Sequence, residues 1–237
     1  MFNYLANPTR FRKVASFILP FLEVICLLSL GYGLYLALLV SPADYQQGDA
    51  VRIMYVHVPS AWLALSSYLL LGICSFFFLI WRHPLAEIAA RSIAPIGTGF
   101  AALTLITGSF WGKPIWGVWW VWDGRLTSML VLFFFFIGYI SLSNAFERSE
   151  RGARPAAILA LVGCINLPVV KFSVDWWHTL HQPASIMRSE GISIDPAMLW
   201  PLLTLFFSFQ IFFIIIVLTR MLTLLNELKY LKQISRS

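Results

Sequence analysis

Six long apolar segments, separated by short polar stretches, run through the chain. A helix needs about 20 residues to cross a bilayer core of about 30 Å, and each segment is close to that length or longer. The chain is therefore predicted to be an all-α polytopic membrane protein, a single integral membrane domain over residues 1–237 built as a bundle of six transmembrane helices. The predicted spans are Ala15–Val40, His57–Trp81, Ser92–Trp111, Thr127–Phe146, Ala156–Val174 and Ala197–Leu222.

The composition agrees with this class and excludes two others. Hydrophobic residues make up 59% of the chain and charged residues 12%, whereas a soluble domain has about 25% charged residues. Disorder is excluded because disordered chains are poor in aromatic residues, and this chain has 20 Phe, 10 Trp and 8 Tyr. The first apolar segment follows basic residues, as a signal peptide does, but it exceeds the usual length of about 7–15 residues and is expected to remain as an uncleaved span.

The distribution of basic residues predicts which loops lie on the outer side of the membrane. Twelve of the 17 Lys and Arg residues fall in the N-terminus, the second and fourth loops and the C-terminal tail. The other five are Arg52, Lys113, Arg125, Lys171 and Arg188. The positive-inside rule then predicts that both termini are cytoplasmic. The outer loops are predicted to be Ser41–Val56, Gly112–Leu126 and Asp175–Pro196.

The third loop is unusually rich in tryptophan. Five of the ten tryptophans fall within residues 111–122, together with Gly and Pro. Tryptophans can anchor helix ends at the membrane interface, but such a belt should be shared among all the helix ends. Flat aromatic faces also stack on planar ligands. The cluster therefore favours a platform for a large planar ligand, with an interfacial anchor as the alternative.

Three of the four histidines lie on the predicted outer face. His57 begins the second span, and His178 and His181 lie in the fifth loop, whereas His83 is expected to be a solvated residue of an inner loop. Neutral imidazole is a common axial ligand of haem iron. The spacing of the three cysteines matches no metal-binding motif, and Cys26, Cys74 and Cys164 are expected to be small core residues. The histidines and tryptophans together indicate haem.

These motifs resemble a known family. The run WGxPxWGxWWxWDxRLTS over Trp111–Ser128 is similar to the "WWD" motif of haem-handling membrane proteins, and the flanking segments 57–62 and 176–182 resemble the CcmC family of cytochrome c maturation. The resemblance covers essentially the whole chain. It implies that His57 and His181 are the axial ligands of haem b, with His178 as an alternative ligand in the fifth loop. It also implies a platform for haem and a chaperone, formed by Trp111, Trp116, Trp119, Trp120, Trp122 and Asp123.

The haem propionates need cations, and the predicted outer face carries arginines. Arg52 in the first loop and Arg125 in the third are the candidates, because guanidinium pairs well with carboxylate oxygens. Each has a competing local partner. Arg125 lies close in sequence to Asp123, and Arg52 lies close to Asp49 and Asp44.

The resemblance implies a function of holding and presenting haem. At the periplasmic face of the bacterial inner membrane, haem would pass to the chaperone CcmE, which would hold it covalently. An ABC transporter of CcmA and CcmB with the small protein CcmD would then release the complex. The chain has neither GxGxxG nor GxxxxGK[ST], so ATP would be hydrolysed by a partner.

Two other functions stay open at this point. A permease subunit of a haem-exporting ABC transporter should have polar residues along a path through the membrane, for which Glu23, Asn166 and Lys171 are the candidates. A membrane b-type cytochrome, with haem as a fixed electron carrier, should have ligating histidines within its spans. None of the four histidines lies in the middle of one.

Overall fold

A computed structural model describes residues 7–145, 149–182, 186 and 191–234. Phe146 and Arg188, which the predictions above name, lie outside the described residues, as does part of the Asp175–Pro196 loop. The regular structure of the described part is helical. The helices are α1 (Pro8–Tyr35), α2 (Met54–Trp81), α3 (Pro84–Trp116), α4 (Gly124–Asn144), α5 (Ser149–Cys164), α6 (Asn166–Trp176) and α7 (Pro196–Ile234).

The prediction of an all-α protein with six membrane-spanning segments is confirmed. Six segments of the described chain are long and apolar enough to cross a membrane. α1 continues through a π-helical turn at Leu36–Val40, and a 3-10 turn at Asp49–Ile53 leads into α2. The segments are Pro8–Val40, Asp49–Trp81, Leu85–Trp116, Gly124–Asn144, Gly152–Trp176 and Pro196–Leu231.

The fifth span is broken into two helices, which the apolar pattern did not predict. α5 ends at Cys164 and α6 begins at Asn166. Pro168 explains the break, because its ring has no N–H and clashes with the carbonyl four residues earlier, that of Cys164. At the break, the Ile165 N–H donates to the Val162 carbonyl at 3.1 Å instead of continuing the α-helical pattern.

The tryptophan-rich segment is partly helical, whereas the sequence predicted a loop over Gly112–Leu126. α3 continues to Trp116 and ends at Gly117, whose φ of 77° suits a residue without a side chain. Lys113 helps to end this helix by donating from Nζ to the Gly117 carbonyl at 2.8 Å. α4 then begins after Asp123, whose Oδ1 accepts from the Leu126 N–H at 2.8 Å. The connection is thus only residues 117–123.

The core lies between α2, α3, α4 and α5, which pack around one cluster of buried apolar side chains that includes Tyr68, Leu132 and Phe136. α7 packs against α2 and α3, and α1 packs mainly against α7. Arg12 near the start of α1 donates to the Leu225 carbonyl near the end of α7. The beginning and the end of the described chain therefore lie at one end of the bundle, and the 117–123 connection lies at the other.

The cysteines are free thiols within the bundle. Cys26 is buried between α1 and α7, where its Sγ donates to the Ser208 carbonyl at 3.7 Å, and Cys74 and Cys164 are half-buried. Cys164 packs directly on Gly72 of α2, and this contact brings the broken fifth span close to the core helices.

Candidate functional site

A cavity of about 600 Å³ opens at the end of the bundle that carries the tryptophan-rich segment. This volume is in the usual range for small-molecule sites. The walls of the cavity are formed by α2, α3, α4 and α6, together with the segments before α2 and after α6. Six of the side chains predicted to contact haem or a chaperone line it: His57, Trp111, Trp116, Trp120, Arg125 and His181.

His57 lies in the first turns of α2, and its side chain is only 8% exposed. Pro59 follows it as the sixth residue of the helix, where its missing N–H removes one helical hydrogen bond. The ring contacts α3 through a 3.0 Å hydrogen bond between Nδ1 and Thr107 Oγ1. It also lies against Gly108, where a Cβ would be 3.0 Å from His57 Cε1. The ring is thus held by α3, with Nε2 left as the nitrogen available to a ligand.

His181 reaches the cavity from the segment that follows α6. Its backbone N–H donates to Thr179 Oγ1 at 3.1 Å, and its ring Nδ1 lies 3.0 Å from the Gln182 carbonyl. Burial and the positive charge of Arg125 lower the pKa of His181 below the ordinary imidazole value, although the Gln182 carbonyl and Asp123 oppose them. His181 is therefore neutral at neutral pH, the form that binds metals.

The two imidazoles face each other although they are far apart in sequence. Their ring centroids are 6.5 Å apart and their planes are inclined by 35°. When two imidazoles bind one metal ion from opposite sides through bonds of about 2.0 Å, their centroids lie about 6 Å apart. The pair therefore has the spacing of two ligands that share one metal ion. With Nδ1 engaged on each ring, both would bind through Nε2.

Three tryptophans form walls of the same cavity. Trp111 lies edge-on to His57 with 5.6 Å between ring centroids, and its Nε1 donates to Gln47 Oε1 at 2.8 Å. Trp116 lies 6.4 Å from the His181 ring and packs on Gly112. Trp120 is the third wall, and its Nε1 is buried with no hydrogen-bond partner among the described residues. Apolar faces thus surround the gap between the imidazoles.

The other two tryptophans of the motif point outwards. Trp119 and Trp122 are 53% and 76% exposed and do not line the cavity. Trp119 packs against Phe110 with Lys113 above its ring, and Trp122 packs edge-on against Trp120. Asp123 is also outside the lining, and besides capping α4 it keeps Oδ2 buried without a partner in the described part of the chain.

The two arginines differ in position. Arg125 lines the cavity and donates to Ser173 Oγ at 3.3 Å and to the Lys171 carbonyl at 3.1 Å. Arg52 lies outside the lining, donates to the Ala37 carbonyl at 2.7 Å and pairs with Asp49 at 3.0 Å. Of the two local pairings weighed for Arg52, the structure shows the one with Asp49.

The remaining histidines are away from the cavity. His178 is exposed and does not line it, so the geometry favours His181 as the ligand from this segment. His83 precedes α3 at the opposite end of the bundle.

Sequence reasoning missed Gln47, Thr107 and Gly108, which position Trp111 and His57. Thr107 lies four residues before Trp111, so helical spacing from that tryptophan was the one signal that could have found it.

The fold and the site together define a polytopic helical membrane protein with a tryptophan-lined cavity and two facing imidazoles at one end of its bundle. The chain belongs to the CcmC family, described as heme exporter protein C, whose family model matches residues 1–235.

Its relatives are similar over most of their length. Heme exporter protein C of Bradyrhizobium diazoefficiens is 50% identical over 217 residues, which cover 92% of this chain and 82% of the relative. Heme exporter protein C of Escherichia coli K12 is 42% identical over 223 residues, covering 94% and 90%. A putative cytochrome c biosynthesis ccmC-like mitochondrial protein of Marchantia polymorpha is 48% identical over 187 residues, covering 77% and 79%.

Proposed function

We propose that this protein binds haem b at the periplasmic face of the bacterial inner membrane and hands it to the haem chaperone CcmE during cytochrome c maturation. The observation that carries the proposal is the facing pair of His57 and His181 inside a tryptophan-lined cavity. The names of the relatives, heme exporter and cytochrome c biosynthesis protein, support the same ligand.

The cavity offers each part of haem a matching surface. Two imidazoles bind the iron from opposite faces, and the walls of Trp111, Trp116 and Trp120 cover the flat apolar macrocycle. Arg125 supplies a cation for a propionate. The site is therefore suited to hold haem and release it again. We propose no bond-breaking step on haem for the described residues around it.

The outward-facing aromatic side chains are proposed as the contact for CcmE. Trp119 and Trp122 project beside the cavity, and exposed aromatic residues are common anchors of protein interfaces. Asp123 Oδ2 and Trp120 Nε1 lie in the same segment, and both are buried without a hydrogen-bond partner among the residues that the structure describes. Unsatisfied buried polar atoms are costly, and a bound partner or ligand would provide hydrogen bonds for them. CcmA, CcmB and CcmD are proposed as further partners that supply ATP hydrolysis.

A permease function is less well supported by the positions of its candidate residues. Asn166 donates from Nδ2 to the Ser128 carbonyl at 2.8 Å and thus joins α6 to α4. Glu23 is exposed on the outermost helix α1, away from the cavity. Lys171 does line the cavity, but at the same end as the imidazoles. A b-type cytochrome is also less well supported, because the candidate ligands lie at the end of the bundle and not in the middle of its spans.

The proposed orientation is tested by labelling single cysteines in a variant without Cys26, Cys74 and Cys164. We expect Trp119→Cys to react with a membrane-impermeant maleimide in intact spheroplasts, because the exposed side chain lies on the proposed outer face. Gln233→Cys, near the exposed end of α7, should react only after the membrane is permeabilised. The reverse pattern would place the cavity in the cytoplasm and exclude delivery to a periplasmic chaperone.

Replacing Arg125 tests the assignment of the propionates. A hydrogen bond to a charged group contributes about 1.5–3 kcal/mol, so Arg125→Ala should weaken haem retention about tenfold or more. The iron would keep both imidazoles, and the remaining haem should keep its low-spin spectrum. Arg52→Ala should cause a smaller loss, because Arg52 is bonded to Asp49 and Ala37 outside the cavity. Equal losses in the two variants, measured as haem per purified protein, would contradict the assignment to Arg125 alone.

A further inference from the structure

The contacts of the Thr107 hydroxyl determine where the proton of His57 lies. Thr107 Oγ1 is 2.6 Å from the Leu103 carbonyl, one turn earlier on α3, and 3.4 Å from the Thr104 carbonyl. The same oxygen is 3.0 Å from His57 Nδ1. A hydroxyl has a single proton to donate, and a carbonyl can only accept. The proton of Thr107 is therefore used within its own helix, and only the lone pairs of Oγ1 face the imidazole.

The imidazole must then donate to the threonine. Since Oγ1 accepts, His57 Nδ1 carries the hydrogen, and the lone pair of the neutral ring lies on Nε2. This hydrogen bond favours one tautomer, in which Nε2 is the metal-binding nitrogen.

The ring is also fixed in orientation by its neighbours on α3. A Cβ on Gly108 would approach His57 Cε1 to 3.0 Å, so the ring packs directly on the helix backbone. Trp111 also packs against this ring in a T-shaped arrangement, with 5.6 Å between the ring centroids. By contrast, the Nδ1 contact of His181 is to the carbonyl of the adjacent Gln182, outside the helices. His57 is therefore the more constrained of the two imidazoles.

We infer that Thr107 is a positioning residue, which holds His57 in the tautomer and orientation that present Nε2 to the haem iron. The inference rests on the proposed haem-binding function and adds to it a hydrogen bond outside the ligand set. Such contacts to the second nitrogen of a ligating histidine raise its basicity, and losing one typically costs 10–100-fold in metal affinity. A more basic imidazole favours ferric over ferrous iron, so the contact also lowers the reduction potential of bound haem.

The experiment compares three variants on α3, purified as full-length protein and reconstituted with haem b. Thr107→Val keeps the shape of the side chain and removes the hydroxyl. We expect haem retention to weaken about tenfold or more, and the haem that is retained to have a higher midpoint potential. Thr107→Ser keeps the hydroxyl and should restore both values. Thr98→Val removes a similar hydroxyl, bonded to the Ala94 carbonyl at 2.8 Å away from the cavity, and should resemble the parent protein.

Unchanged retention and potential in Thr107→Val would overturn the inference, as would a loss that Thr107→Ser fails to restore. If Thr107→Val does not insert into the membrane, Thr107→Ala removes the same hydroxyl with a smaller side chain, and unchanged retention and potential in that variant overturn the inference. Failure of the proposed function itself gives a different result, in which the parent protein binds no haem through His57.

Discussion

His57→Ala and His181→Ala are each expected to abolish the low-spin spectrum of haem bound to the purified protein. The ring centroids are 6.5 Å apart, a spacing that suits one metal ion bound by both rings, so loss of either ring would leave the iron with a single imidazole. Low-spin iron needs both strong axial ligands. We expect most of the haem to be lost during purification and the remainder to be high-spin, as measured by visible absorption and haem staining at matched protein levels.

His178→Ala is the matched control for this prediction. It removes an imidazole from the same segment, three residues before His181, but His178 is exposed and lies outside the cavity. The low-spin bands should therefore persist. If His178→Ala removed the bands and His181→Ala left them, the ligand from this segment would be His178 and the geometry described here would not be that of the haem-bound state.

Replacing the outward-facing tryptophans should separate delivery of haem from its retention. A Trp119→Ala, Trp122→Ala double variant removes two exposed indoles beside the cavity and none of its walls. Aromatic anchors of an interface commonly contribute 2 kcal/mol or more each, so covalent loading of CcmE should fall at least about tenfold while haem per protein stays near normal. Trp120→Ala removes a wall and should instead reduce retention.

Trp200→Ala is the control for an ordinary interfacial role of tryptophan. Trp200 is exposed in the first turns of α7, at the same end of the bundle, and does not line the cavity. If these tryptophans act only as anchors at the membrane interface, the loss of Trp200 should have the same effect as the loss of Trp119 and Trp122. If Trp200→Ala reduced CcmE loading as strongly as the double variant, or if the double variant loaded CcmE normally, the tryptophans would be interfacial anchors and not a docking surface.

The spans were predictable from the sequence because the cost of burying a charge in a bilayer leaves a strong pattern along the chain. The tryptophan-rich segment and His57 could also be assigned to one end of the bundle, since alternate loops of a polytopic chain share a side. The extension of α3 to Trp116 was not predicted, because Gly112 and Pro114 are typical of loops. Here the helix tolerates Pro114 in its last turn and ends only at Gly117.

The sequence spacing of the tryptophans did not show which of them face the cavity and which face outwards. Which indoles turn inwards depends on where α3 ends and where Asp123 begins α4, and these boundaries follow from local hydrogen bonds. The partners of Arg52 and Arg125 were undecided for the same reason, since several carboxylates lie near them in sequence. The contact between Thr107 and His57 joins residues 50 positions apart, and only the packing of α2 on α3 brings them together.

The central claim is that the cavity holds haem between His57 and His181 and gives it up to CcmE. The most direct test mixes purified, haem-loaded protein with purified haem-free CcmE in lipid nanodiscs, without nucleotide. We expect the low-spin spectrum of the loaded protein to decline while covalently bound haem appears on CcmE in a haem-stained denaturing gel. Haem that stays with the loaded protein, or CcmE that is labelled equally well by free haem in its absence, would contradict the account.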